Sequence, residues 1–205
     1  MMERVVYTIG HSNHSAEALL GLLKRHGIEV VADVRSRPYS RYSPQFDRES
    51  LKKSLKAAGI EYVFLGVELG ARSDIPSCYE NGKVRYDRLA ETAAFKDGLA
   101  RVEKGASEYR VSLVCAEKEP LECHRTILVA RQLEKRGFEV RHILGDGNLE
   151  TQEQAMERLM TALRMGQNQQ HFFRSDADVL DDAYRIQGAR IAFENEDAKP
   201  DASAA

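Results

Sequence analysis

Tyr109-Arg110-Val111-Ser112-Leu113-Val114-Cys115, running into Ala116-Glu117-Lys118-Glu119-Pro120-Leu121-Glu122-Cys123-His124-Arg125, is the stretch that decides the fold class. Its first half has the near-continuous apolar pattern of a strand covered on both faces, and its second half is a polar cluster. Residues 126–136 then read as a helix stopped by Gly137. Two thiols, an imidazole and a guanidinium thus fall between a strand end and a helix start, where α/β proteins place their chemistry.

The same order recurs on both sides. Upstream, the pattern predicts a strand over 5–9, a helix over 15–26 closed by Gly27, a strand over 29–34, a helix capped by Asp47 and closed by Gly59, and a strand over 60–65. A connection over 66–86, long enough to suggest function, leads to a helix over 87–104. Downstream come a strand over 138–144 and a Thr151/Gln154 capping-box pattern opening a helix that lasts to about Met165. This alternation predicts an α/β fold: a mainly parallel sheet of about five strands with helices on both faces, since parallel neighbours need crossovers. Residues 1–166 form that domain. Residues 167–194 are a connector and a C-terminal element, with 179–194 readable as a helix or a short strand, and 195–205 have the composition of a disordered tail.

With 205 residues, 42% of them hydrophobic, the chain has enough apolar material for one full core. Its net charge of -2, from 30 basic and 32 acidic residues, excludes a global field that draws in nucleic acid or anionic membrane, so any anion site is local. Three cysteines and no charged-then-apolar leader argue for a reducing cytoplasm over a disulfide framework. No apolar run approaches the roughly 18 residues of a membrane span. Cofactors and oligomeric state are not specified.

In such a sheet the carboxyl ends of all parallel strands face one rim. His11, Ser12, His14, Asp33, Arg35, Glu68, Cys115, Glu117 and Asp146 are therefore candidates for one crevice. The plain alternative is that strand ends are polar because the core stops there. Cys115 ends an apolar strand, where an inert buried thiol is the default. Cys123 lies near a helix start beside His124 and Arg125, a setting that favours a thiolate. Either serves as nucleophile or redox thiol, with His11, Asp33 and Glu117 supplying proton transfer or orientation. Cys78 is incidental, and Leu121, six residues after Cys115, excludes a phosphatase loop. Cys115, Cys123, His124 and His11 also offer soft ligands for zinc or iron. Yet neighbours on a helix point about 100° apart and no Cys-x-x-Cys pair is present, so no metal site is predicted. The loop over 35–46 carries three arginines, three serines and three aromatics with no acidic residue. Arg35, Arg37 and Arg41, with Arg125, suit phosphate, and the tyrosines suit stacked bases. The competing reading is a surface loop whose arginines pair with Asp33, Glu49 or Glu61. Asp33 and Arg35, two apart, share one side of a strand.

Gly10-His11-Ser12, Asp33-Val34-Arg35 with Pro38 and Ser40-Arg41, Leu69-Gly70, and Cys115-x-Glu117 with Cys123-His124-Arg125 together resemble Domain of Unknown Function 488, over about Val5 to Leu144. The resemblance implies a small α/β fold and a cytosolic bacterial or archaeal setting, with no established activity. The Gly-Gly expected after the third strand is Gly70-Ala71 here, which puts a close backbone approach in question. Asp33-Val34-Arg35 is also similar to rhodanese-like sulfurtransferases, whose short arginine-bearing loop after the cysteine is absent. The leading expectation is a small cytosolic enzyme acting on a phosphate-bearing substrate, nucleotide-like or derived from nucleic acid. The alternatives are a nucleic-acid-binding module without chemistry, and a metal-binding protein.

Overall fold

Six consecutive residues of the strand β1, Val5–Gly10, are buried, as the apolar run demands of a strand covered on both faces. A computed structural model describes residues 4–165 and 175–195. Around β1 the chain forms β2 (Val30–Asp33), β3 (Glu61–Phe64), the short hairpin β4 (Tyr79–Glu80) and β5 (Lys83–Val84), β6 (Val111–Cys115), β7 (Glu139–Ile143) and β8 (Leu149–Thr151). The main sheet has the order β3-β2-β6-β1-β7-β8; its first five strands are parallel and β8 pairs antiparallel with β7. Gly147, at φ 83°, makes the turn before β8. That sixth strand goes beyond the sequence reading, because three residues inside a turn signal carry no periodicity.

The helices divide by the direction in which the chain travels. The helices α1 (Ala16–Arg25) and α2 (Arg48–Ala57) carry it from β1 toward β3. They pack Leu19, Leu23, Leu51 and Leu55 against Tyr7, Ile9, Val31 and Val114. From β3 the chain returns through α3 (Gly66–Leu69), α4 (Tyr86–Ala90) and α5 (Ala93–Ala106), and from β6 through α6 (Arg131–Glu134). Phe95, Leu99, Val102 and Leu133 pack on the opposite face, against Val6, Ala32, Leu113 and Cys115. A reversed direction with right-handed crossovers puts these helices on the other side, so the topological switch lies between β1 and β6. Strand alternation then aims Cys115 at the α5 and α6 face and Val114 away from it.

Local chemistry accounts for most boundaries and for several departures. Ser15 Oγ accepts from Ala18 N, and the Thr151/Gln154 capping box opens α7 (Gln152–Ala162), which ends sooner than Met165. Asp47 precedes α2 without capping it; its carboxylate instead accepts from Ser40 N at 2.8 Å and pins the arginine-bearing loop. The helix expected over 87–104 is two, because Thr92 caps a fresh start at α5. The connection over 66–86 is structured, holding α3 and the hairpin. The close approach in question at Gly70 is present, since an added Cβ there would lie 2.3 Å from Ser36 Oγ. The helix after Cys123 begins as a π-helical turn, Arg125–Ala130. Of the two readings of 179–194, the helix holds: α8, Asp176–Ile191, opens on a Ser175/Asp178 capping box and packs on α7. Residues 167–174 of the expected connector and all but Asn195 of the expected tail lie outside the described residues. No helix among the described residues is long and apolar enough to cross a membrane.

Candidate active site

Cys115 closes β6, and a turn at Pro120–Glu122 brings the chain back so that Cys123 and His124 lie beside it. Cys123 is extended, at φ -134° and ψ 138°, and His124 is the residue before the helix. Cys123 thus lies near a helix start, as the sequence reading has it, but outside the helix, so the 100° splay of helical neighbours does not apply. Instead, His124 Nδ1 stands 3.7 Å from Cys115 Sγ and 3.9 Å from Cys123 Sγ. His124 Nε2 lies 3.0 Å from the Val34 carbonyl, which only accepts, so Nε2 donates to it and Nδ1 faces the sulfurs. Burial lowers the imidazole pKa, but the hydrogen bond and charge of Cys123, with Glu117, outweigh it and raise it, the direction that puts a proton on Nδ1 as well. The Glu117 carboxyl sits 2.9 Å from Cys123 Sγ, and Arg125 N–H points at the same sulfur.

Burial pushes the Cys115 thiol up. Burial opposes ionisation of Cys123 too, but the hydrogen bond from Cys115, the Arg125 charge and His124 outweigh it and hold that thiol down. The Glu117 carboxyl is raised by burial and by Cys123. Cys123 is therefore the favoured place for negative charge, and Cys115 the thiol that keeps its proton.

A second cluster backs the first. Asp33 accepts from Arg35 Nε at 2.9 Å, Arg35 Nη2 at 2.6 Å, Arg35 N at 3.1 Å and Tyr62 OH at 2.9 Å, which realises the internal pair read from the two-residue spacing. Arg35 Nη1 donates to His11 Nε2 at 3.1 Å, His11 Nδ1 bonds the Ser12 carbonyl, and the ring lies against Phe46. Burial, with help from the Arg35 charge, lowers the His11 pKa to about 4, so His11 is a neutral acceptor that orients Arg35.

Over these clusters opens a cavity of about 270 Å³. Cys115, Glu117, His124, Arg35, Arg37, Arg72, Tyr86, Glu122 and Phe193 are among the residues that line it. Arg37 and Arg72 also line an adjoining cavity of about 360 Å³. Cys123 does not line the cavity but contacts His124, and His11 and Asp33 contact Arg35. The remaining candidates stand elsewhere. Arg125 is fully buried, its guanidinium donating to the Glu117 and Lys118 carbonyls and to Thr8 Oγ1. It fills the β1/β6 switch point itself, which moves the opening one strand over, to the ends of β2 and β6. Arg41 is exposed and lines neither cavity, Ser12 bonds Asn13, and Glu68 pairs with Arg101 at the lining of the adjoining cavity. Asp146 closes the turn before β8, and the His14 carbonyl accepts from Gln45. Sequence reading missed Arg72, Tyr86 and Phe193. A cation two residues past Gly70 was a usable signal for Arg72, whereas Phe193 arrives from the C-terminal element by tertiary packing alone.

An open, mainly parallel α/β sheet, with a cavity of thiol, imidazole and carboxyl groups at its strand ends, is the class that fold and site define. The family described as "Domain of unknown function DUF488" matches residues 15–132, more than half of the chain, and the chain belongs to that family. No curated protein and no solved structure matches it.

Proposed function

We propose that the protein is an enzyme acting on a phosphate-bearing substrate, held by the arginines of the cavity with its reacting centre at the sulfur and imidazole groups. The observation that carries this is the shared lining: Arg35, Arg37 and Arg72 open onto the same cavity as Cys115, Glu117 and His124. Among the described residues neither Arg37 nor Arg72 makes an ion pair, and Arg72 stacks on the Phe193 ring, 4.3 Å from its centroid. Two guanidinium groups without carboxylates grip an oxyanion as forks of charged donors, while Arg35, already paired with Asp33, orients it. Glu117 and Glu122 line the same cavity, which favours a substrate with an anionic end and a neutral or protonated end. Arg41 and Arg125, expected among the phosphate ligands, have no part in this reading.

The test is equilibrium titration with pyrophosphate and with nucleoside mono- and diphosphates, at fixed ionic strength. Arg37→Ala and Arg72→Ala should each weaken binding at least about tenfold, the lower range for a hydrogen bond to a charged group. No binding to the wild type, or binding that both variants retain, would overturn the reading. A second reading rests on Tyr39 and Tyr42, 67% and 96% exposed in the same loop as Arg37 and Arg41, which suit single-stranded nucleic acid. It requires oligonucleotide binding that survives Cys115→Ser and is lost in Tyr42→Ala.

A further inference from the structure

We propose that Cys115, Cys123 and His124 form a site for a soft divalent ion, zinc by preference, with its open coordination position facing the cavity. Three observations carry it. The donor atoms all lie within 4.8 Å of one another, and all three residues are more than nine-tenths buried. Zinc-sulfur bonds of about 2.3 Å and zinc-nitrogen bonds of about 2.0–2.1 Å in a tetrahedron set a sulfur-to-nitrogen edge of about 3.6 Å. The observed 3.7 and 3.9 Å are within a small side-chain adjustment of that edge.

The surroundings also match. Ligating histidines donate their other ring N–H to a carbonyl or carboxylate, which aims the lone pair, and here the Val34 carbonyl does this for His124. The Arg125 N–H, 3.5 Å from Cys123 Sγ, is placed to support a thiolate. Sulfur ligands select zinc and its soft relatives over magnesium or calcium. Binding is balanced by proton release: Cys115 gives up one proton and the Cys123–His124 pair a second, both to solvent, and the dication meets two thiolates and a neutral imidazole.

No fourth His, Cys, Asp or Glu joins the cluster among the described residues, and Cys115 and His124 line the cavity. Three protein ligands with a fourth position open is the pattern of a catalytic zinc, which binds a water or a substrate oxygen there. Glu117, which lines the cavity 2.9 Å from Cys123 Sγ, is placed to accept the proton of such a water. Ion binding stands independently of the anion reading above; only the polarising of a phosphoryl oxygen rests on it.

The experiment uses the full chain, purified under a phosphine reductant, loaded with Zn²⁺ or Co²⁺ and desalted. Elemental analysis should give one equivalent. The Co²⁺ form should show a thiolate charge-transfer band with the visible bands of a tetrahedral site. X-ray absorption of the wild-type zinc form should report two sulfurs, and this holds whether or not the variants fold. Cys123→Ser and His124→Ala should lower affinity at least about 100-fold, beyond the 10- to 100-fold cost of losing an outer partner. Cys78→Ser should leave it unchanged. No retained ion, or a shell of oxygen and nitrogen alone, overturns the proposal. Pyrophosphate titration of loaded and metal-free protein separates the two readings: one ion bound with no anion affinity sinks the anion reading alone, and anion binding without a retained ion sinks the metal site alone.

Discussion

Asp33→Asn removes one charge from a pair in which both side chains are out of solvent, 0% exposed for Asp33 and 7% for Arg35, while keeping the shape of the residue. The carboxylate accepts four hydrogen bonds, two from the Arg35 guanidinium. An asparagine oxygen can still receive the two on Oδ1, but its amide turns a donor toward Arg35 Nη2. The arginine is then a buried charge without a counterion, a change that costs about 3–5 kcal/mol. At about 2–4 °C per kcal/mol for a chain of this size, the melting temperature should fall by roughly 6–20 °C. Urea unfolding should show a lower midpoint with an unchanged slope. The double variant Asp33→Asn with Arg35→Gln should recover about 0.5–3 kcal/mol relative to additivity, because no orphaned charge remains. Asp33→Asn should also bind pyrophosphate more tightly at low salt, since Arg35 is no longer neutralised beside the cavity. A single variant within about 0.5 kcal/mol of wild type, or an additive cycle, would refute the argument.

Two further outcomes follow from the core. His142 is fully buried between Thr8 Oγ1 and Gln152 Oε1, and burial, with the Arg125 charge, lowers its pKa from 6.5 to about 3. The unfolded chain therefore binds this proton at a higher pH than the folded one; the contribution is complete above pH 6.5 and falls away toward pH 3, by about 3 kcal/mol at pH 4. His142→Gln should flatten the slope of unfolding free energy between pH 6.5 and 4, and an unchanged slope would count against it. Glycines make the second contrast. A Cβ at Gly10 would lie 1.8 Å from the Glu117 carbonyl oxygen, so Gly10→Ala should cost about 1–3 kcal/mol or more in urea melts. A Cβ at Gly21, inside α1, meets nothing within 4 Å, so Gly21→Ala should be stabilising by about 0.4–1 kcal/mol; equal effects would sink the packing argument.

Sequence by itself determined the succession of elements. Apolar runs and helix stops act within a few residues: Val5–Gly10 is buried throughout, and Gly27 and Gly59 take positive φ where α1 and α2 were expected to stop. The Asp33/Arg35 pair was legible for the same reason, since two residues along a strand return to one side. Three-residue β8 and the break at Thr92 fell below what periodicity resolves. Tertiary structure alone decided which polar groups became a site. Whether an arginine lines a cavity or the core depends on which distant groups need donors. Arg125 is withdrawn because the Glu117 and Lys118 carbonyls and Thr8 Oγ1 take its hydrogens, whereas Arg72, in a loop with no such demand, faces the cavity. The aim of His124 is likewise set by the Val34 carbonyl, on a strand that only the sheet order β2-β6 brings alongside. No spacing within the Cys123-His124 motif encodes that carbonyl, and it is what turns Nδ1 toward two sulfurs eight residues apart in the chain.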